Sequence, residues 1–274
     1  METQDFCKLM AKEIEKGNLK TKKQIADLRD KLTKIYKPKT IPSLVEIFTH
    51  LPKGAYNFII KPTRTISGVT PLALMTKPIP CPHGRCTYCP GGPNSQFGNV
   101  PQSYTGGEPA TMRAIRNNYD PYLQIFNRLE HYILLGHSIE KIELIIMGGT
   151  FPSFPKKYQE EFVKYSFKAM NDFSKLFFKK DGNLNYSKFK KFFDLPSNDF
   201  QNKERTKNIH KKLLKLKGNC KLKEEQEKNE TTKVRCIALC IETKPDWGLL
   251  EHGNQMLKLG CTRIELGIQS VYED

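Results

Sequence analysis

Cys81, Cys86 and Cys89 follow the spacing C-x4-C-x2-C in CPHGRCTYCPGG, a loop whose glycines and prolines let the backbone wrap three thiolates around one inorganic centre. Thiolates so spaced suit an iron–sulfur cluster or zinc. Structural zinc wants four protein ligands, and His83 is the neighbour that would complete the set, although its place two residues after Cys81 makes the geometry awkward. A cluster held by three cysteines instead leaves one iron open, where a substrate or cofactor can bind. The remaining cysteines read differently. Cys236 and Cys240, four apart, would face one side of a strand but sit well separated. They and Cys7, Cys220 and Cys261 are expected to be ordinary small residues of the interior.

The elements that must position this loop are short apolar runs, each leading directly into polar or glycine-rich sequence. The run 72–75 leads into the cysteine loop, and 142–147 into Gly148-Gly149-Thr150-Phe151. The run 234–241 leads into Glu242-Thr243-Lys244-Pro245-Asp246, and 261–268 into Gln269-Ser270. Continuous apolar runs predict strands buried on both faces, hence a parallel sheet. Helices are expected between them. Tyr122, Ile125, Phe126, Leu129 and Ile133 form a stripe ended by Gly136, and Asp246 and Gly260 bracket a second helix through Leu250 and Leu257. Alternating strand and helix with motifs at strand ends predicts a β/α barrel or a doubly wound sheet whose site lies at the carboxyl ends.

The 274 residues carry 45 Lys plus Arg against 29 Asp plus Glu, a net charge of +16. The excess is patchy: +7 over 1–70, +2 over 71–174, +9 over 175–233 and −2 over 234–274. At the amino end, Phe6, Leu9, Met10 and Ile14 recur at helical spacing up to Gly17. Thr21 with Gln24 forms a candidate capping box before Ile25, Leu28, Leu32 and Ile35, and the region ends near Lys37-Pro38. Such a basic face suits a polyanion or is simply a solvated helix surface. The segment 175–233 has sixteen lysines and one arginine in long polar stretches, and reads as a largely flexible insertion. No run approaches the length of a membrane span, and METQDFCKLM has no leader-like apolar core. Cytoplasm and reduced thiols are therefore expected.

Five blocks together resemble one family: CPHGRCTYCPGGP, QSYTGGEPATMRAIRNNYDPY, GHSIEKIELIIMGGTFPS, IETKPDW and GCTRIELGIQSVYED. They are similar to the radical S-adenosylmethionine domain of the catalytic subunit of Elongator, archaeal forms included, from about residue 61 onward. The resemblance implies an α/β fold, a partial (β/α) barrel over 61–274 interrupted at 175–233 and preceded by a basic helical tRNA-binding region over 1–60. It implies an enzyme that builds a carboxymethyl group on the wobble uridine of the tRNA anticodon, with acetyl-CoA as carbon source. Cys81, Cys86 and Cys89 would hold a 4Fe-4S cluster whose open iron takes S-adenosyl-L-methionine.

On the same footing Gly148 and Gly149 would let the backbone approach the cofactor, and Glu242 and Gln269 would meet its ribose and amino-acid groups. Lys141 matches a family lysine that contacts acetyl-CoA. Lys20, Lys22 and Lys23 are expected phosphate contacts. Arg113 and Arg116 either receive tRNA phosphates or make ion pairs, and Tyr88 and Tyr104 would shape the pocket. Lys244 stands where the family commonly has Arg, losing a planar fork of donors.

The family continues through further strands and an acetyltransferase domain that this sequence does not contain, so the chain reads as a fragment, inactive alone, with a sticky last strand. Other Elongator-type subunits are possible partners. Two other readings stay open: a different radical S-adenosylmethionine enzyme acting on RNA, or a zinc-dependent RNA-binding module.

Overall fold

A computed structural model describes residues 1–17, 19, 21–52, 59–196, 202–269 and 271. In chain order its elements are α1 (Thr3–Lys16), α2 (Lys22–Tyr36), α3 (Leu44–His50), β1 (Thr70–Met75), α4 (Pro109–Arg116) and α5 (Pro121–Leu134). These are followed by β2 (Lys141–Met147), α6 (Lys156–Phe177), α7 (Tyr186–Phe192), α8 (Lys203–Lys217) and α9 (Leu222–Asn229), then by β3 (Arg235–Thr243), α10 (Leu250–Lys258) and β4 (Arg263–Leu266). The chain divides into two compact units: Met1–Gly68 with Leu129–Ile139 and Leu176–Leu214, and Val69–Arg128 with Glu140–Lys175 and Lys215–Asp274.

In the first unit, α1 ends where the Gly17 N–H returns to the Glu13 carbonyl. Then α2 opens on the expected reciprocal cap, Gln24 N–H donating to Thr21 Oγ1 at 3.2 Å and Thr21 N–H to Gln24 Oε1 at 3.0 Å. Phe6, Met10, Ile14, Ile25, Ile47 and Phe48 form one buried cluster, with Leu28 and Leu32 packed on it. Ile35 departs from the expected stripe and is 60% exposed, because α2 ends one residue later in a left-handed Lys37.

The segment expected to be a flexible insertion is largely helical in its described part, where α7, α8 and α9 form. Its aromatics explain why. Phe177, Phe189 and Phe193 are fully buried against one another, with ring centroids 4.9–5.7 Å apart, so a lysine-rich surface encloses an apolar seed. Residues 176–214 also group with the amino-terminal region, whereas 215–233 belong to the second unit, so neither the 1–60 boundary nor a single inserted block describes the packing.

The second unit is built on one sheet of order β1-β2-β3-β4, every pair parallel. Strand order follows sequence order with no reversal, which is the arrangement of a stretch of β/α barrel wall and lacks the switch point of a doubly wound sheet. The central strands are apolar as expected, with Leu144 between Leu72 and Leu239. Two predictions of burial fail: all four residues of β4 are exposed, and β3 is buried only from Leu239 onward, where Glu242 alone is half-buried. Among the described residues β4 pairs with β3 alone.

The carboxyl end of β1 is pinned before the cysteine loop departs. Buried Gln124 of α5 accepts from the Met75 N–H at 3.0 Å and donates to the Met75 carbonyl at 2.9 Å. Asn229 similarly ties α9 to the entry of β3, accepting from Cys236 N–H at 2.7 Å and donating to Asn171 Oδ1 at 2.8 Å.

Candidate functional site

The carboxyl ends of the strands open on a cavity of about 340 Å³ in the second unit, into which Cys81, Cys86 and Cys89 all face. Short backbone turns fold the loop, Gly84 N–H returning to Cys81 O at 3.0 Å and Cys89 N–H to Cys86 O at 2.9 Å. Gly84 sits at φ +80, where a side chain would be strained. The Arg85 guanidinium then clamps the exit, donating to the Cys89 carbonyl and to Pro90 O.

Each sulfur has a different donor from outside the loop. Thr150 Oγ1 donates to Cys81 Sγ at 3.1 Å, Gln102 Nε2 to Cys89 Sγ at 3.1 Å, and Lys244 Nζ to Cys86 Sγ at 3.2 Å. Ser103 Oγ lies 3.0 Å from Cys89 Sγ as well. Burial pushes the Cys81 thiol up, Thr150 draws it back down, and the two neighbouring sulfurs push it up again. His83 lines the cavity but is not gathered with the sulfurs as a fourth ligand; its Nδ1 lies 3.0 Å from Asp246 Oδ2.

The Gly148-Gly149 pair divides its work. A Cβ on Gly149 would lie 3.6 Å from Cys81 Sγ, so this glycine keeps the cavity wall open. Gly148 is not part of that wall: at φ +115, its Cβ would fall 2.4 Å from Thr76 Oγ1, and the Thr76 hydroxyl donates to its carbonyl at 2.9 Å. Close crossing of two strand ends, rather than ligand contact, demands a glycine there.

Glu242 and Gln269 both reach the cavity, Gln269 from a left-handed backbone at φ 71. Burial, and then the Glu265 carboxylate, push Glu242 up to about 6, while the Tyr104 hydroxyl, 3.4 Å from Oε2, opposes them. Tyr104 itself is pushed up by burial and by Glu242. Tyr88 stays half exposed at the rim beside Cys86 and Lys244.

Other expected residues are not brought together here. Lys141 is the exposed first residue of β2, six residues before the carboxyl end, which at strand rise is about 20 Å from the cavity side of the sheet. Arg113 is half-buried and donates to the Ala73 carbonyl of β1 at 2.6 Å. Arg116 is half-buried in the last turn of α4. Lys22 and Lys23 are exposed in the first turn of α2, in the first unit, while Lys20 lies outside the described residues. Thr150, Gln102 and Glu265 went unnoticed in the sequence. Only the polar placement of Thr150 after the glycine pair and the period-2 position of Glu265 on β4 hinted at them.

These features define a class: a parallel α/β domain with a cysteine-lined site at the carboxyl end of its sheet. No protein-family model matches the chain. It is 41% identical over 269 residues to the tRNA uridine(34) acetyltransferase of Methanocaldococcus infernus, covering 96% of this chain and 42% of the relative. The enzyme of that name from Methanocaldococcus jannaschii is 41% identical over 268 residues, covering 96% and 41%. Elongator complex protein 3 of Saccharomyces cerevisiae is 37% identical over 254 residues, covering 89% and 38%. A solved structure of archaeal Methanocaldococcus infernus Elp3, with an N-terminal deletion, shares 32% identity at a TM-score of 0.44, covering 75% of this chain and 30% of that one. The chain belongs to the family of tRNA uridine(34) acetyltransferase and Elongator complex protein 3. It spans about two fifths of the length of these curated relatives.

Proposed function

We propose that this chain forms the radical S-adenosylmethionine part of a tRNA wobble-uridine-modifying enzyme that builds 5-carboxymethyluridine from acetyl-CoA. The observation that carries the reading is the set of three cysteine sulfurs in one cavity, each met by its own hydrogen-bond donor. Among the described residues no three His, Cys, Asp or Glu side chains gather closely enough to chelate a single metal ion. Three cysteines at this spacing leave one iron of a cluster open, whereas structural zinc wants four protein ligands. All eight cysteines are free of disulfides.

In this reading Cys81, Cys86 and Cys89 hold a 4Fe-4S cluster, and Glu242, Gln269 and the Gly149 backbone bind S-adenosyl-L-methionine beside it. Bound together, the two groups supply one-electron reductive cleavage of a sulfonium and hence a carbon radical. The chain's own tasks are to hold and shield. Thr150, Gln102 and Lys244 orient the sulfurs, and Tyr104 keeps Glu242 aimed into the cavity. Lys141, as a partner for a CoA phosphate, belongs to a separate surface at the amino end of β2. The tRNA anticodon region is the proposed macromolecular partner, met by a first unit that carries 24 Lys plus Arg against 12 Asp plus Glu. Among the described residues no helix is long and apolar enough to cross a membrane.

Anaerobic reconstitution of the chain with ferrous iron and sulfide tests this. The expected result is a brown chromophore that Cys86→Ala abolishes. Stoichiometric zinc uptake without colour would instead establish a zinc module.

A further inference from the structure

Of the residues lining the cavity, Lys244 is the only lysine or arginine among those described, and it faces three cysteines and two carboxylates, Glu242 and Glu265. Its backbone is fixed. It is the extended residue before a 3-10 turn over Pro245–Trp247, the Trp247 N–H returns to its carbonyl at 3.0 Å, and Pro245 restricts it from the other side. From that fixed point the ammonium reaches Cys86 Sγ at 3.2 Å. Among the described residues the other sulfurs meet neutral groups: Thr150 and Gln102 donate to Cys81 and Cys89, and Ser103 Oγ lies beside Cys89. A charged donor makes a hydrogen bond about twice as strong as a neutral one. Hydrogen bonds to sulfur and net local charge are among the levers that set the potential of an iron–sulfur group.

We propose that Lys244 is a positioning residue that sets the reduction potential of the sulfur site: its ammonium, held against Cys86 Sγ, favours the state carrying one more electron. This rests on the three cysteines holding a cluster. The step is an electron gain alone, from an external low-potential one-electron donor, with no bond made or broken. A compact ammonium suits the task because it offers a point charge to one sulfur, where a guanidinium would spread its charge over a planar fork.

The test uses the whole chain, reconstituted anaerobically and titrated redox-potentiometrically with visible absorbance and electron paramagnetic resonance as readouts. Wild type is compared with Lys244→Met, which removes charge and donor, and Lys244→Arg, which keeps the charge. Lys244→Met with normal iron and sulfide content should shift the midpoint to more negative potential, with the ratio of reduced to oxidised sites at fixed poise falling about tenfold or more, 59 mV for one electron. Lys244→Arg should recover most of that shift. An unchanged midpoint in a fully loaded Lys244→Met protein overturns the inference while leaving the cluster reading intact. Loss of loading in Lys244→Met alone also overturns it, in favour of a purely scaffolding lysine. A wild-type chain that takes up no iron and sulfide overturns both.

Discussion

Replacing Glu242 with Gln should make the metal-free chain more stable near neutral pH, because the carboxylate is held where its charge is disfavoured. Burial and the neighbouring Glu265 raise Glu242 from 4.5 to about 6. A shift of that size corresponds to about 2 kcal/mol between its protonation states, and partial exposure to water reduces this to roughly 1–2 kcal/mol. The sign follows from linkage. A group whose folded value is raised adds stability that is complete below its unfolded value and is lost as pH rises through the folded value. Wild type should therefore lose stability relative to Glu242→Gln as pH climbs from about 4.5 through about 6, and the gap should then hold constant. Gln keeps an acceptor for the Tyr104 hydroxyl, so the comparison isolates the charge. Urea denaturation followed by circular dichroism at several pH values reads the difference as a shift in midpoint at constant slope. Glu265→Gln should narrow the same gap by removing the second cause. If Glu242→Gln is destabilising near neutral pH, or its effect does not vary across that window, the electrostatic account of the cavity is wrong. Confirmation would mean that the fold retains a carboxylate it is more stable without, as ligand sites commonly do.

Three further outcomes follow from the packing. Gly148→Ala places a Cβ 2.4 Å from Thr76 Oγ1 at φ +115 and should cost about 3 kcal/mol in the same denaturation assay. Asn229→Ala removes the acceptor of the Cys236 N–H and the donor to Asn171, and should cost about 2–3 kcal/mol while accelerating amide exchange at the entry of β3. Lys22→Ala with Lys23→Ala should weaken tRNA binding and flatten the slope of log affinity against log salt by about 1.5, as for two lost phosphate contacts; an unchanged slope would assign the contacts elsewhere.

What could be read in the sequence was whatever is local. The capping box at Thr21 and Gln24 involves residues three apart, and the strand that carries Leu144 announces itself as an apolar run, so both stand where expected. Contacts between distant residues left no such trace. Lys244 lies 158 residues from Cys86, and Thr150 69 from Cys81, so no pattern of spacing links either donor to its sulfur. Helix periodicity likewise does not reveal that Arg113 reaches a strand carbonyl 40 residues away. Composition averages over positions, so it did not announce the helices within 175–233. Lysines outnumber the aromatics, yet a handful of phenylalanines in contact is enough to bury a core and fix the helices around it.

The same averaging hid where the charge resides. Taken along the chain, the two basic stretches lie far apart, and the second had no evident use. Grouped by packing, residues 176–214 join 1–68, and that unit alone carries +12 of the total +16. The unit with the cysteine cavity is left with 21 basic against 17 acidic side chains. In the cysteine cavity the Lys244 ammonium lies against Cys86 Sγ, and Glu242 and Glu265 line the same space. A single substitution at Lys244 should consequently change the sulfur site, while the affinity of the basic unit for RNA should fall as salt rises.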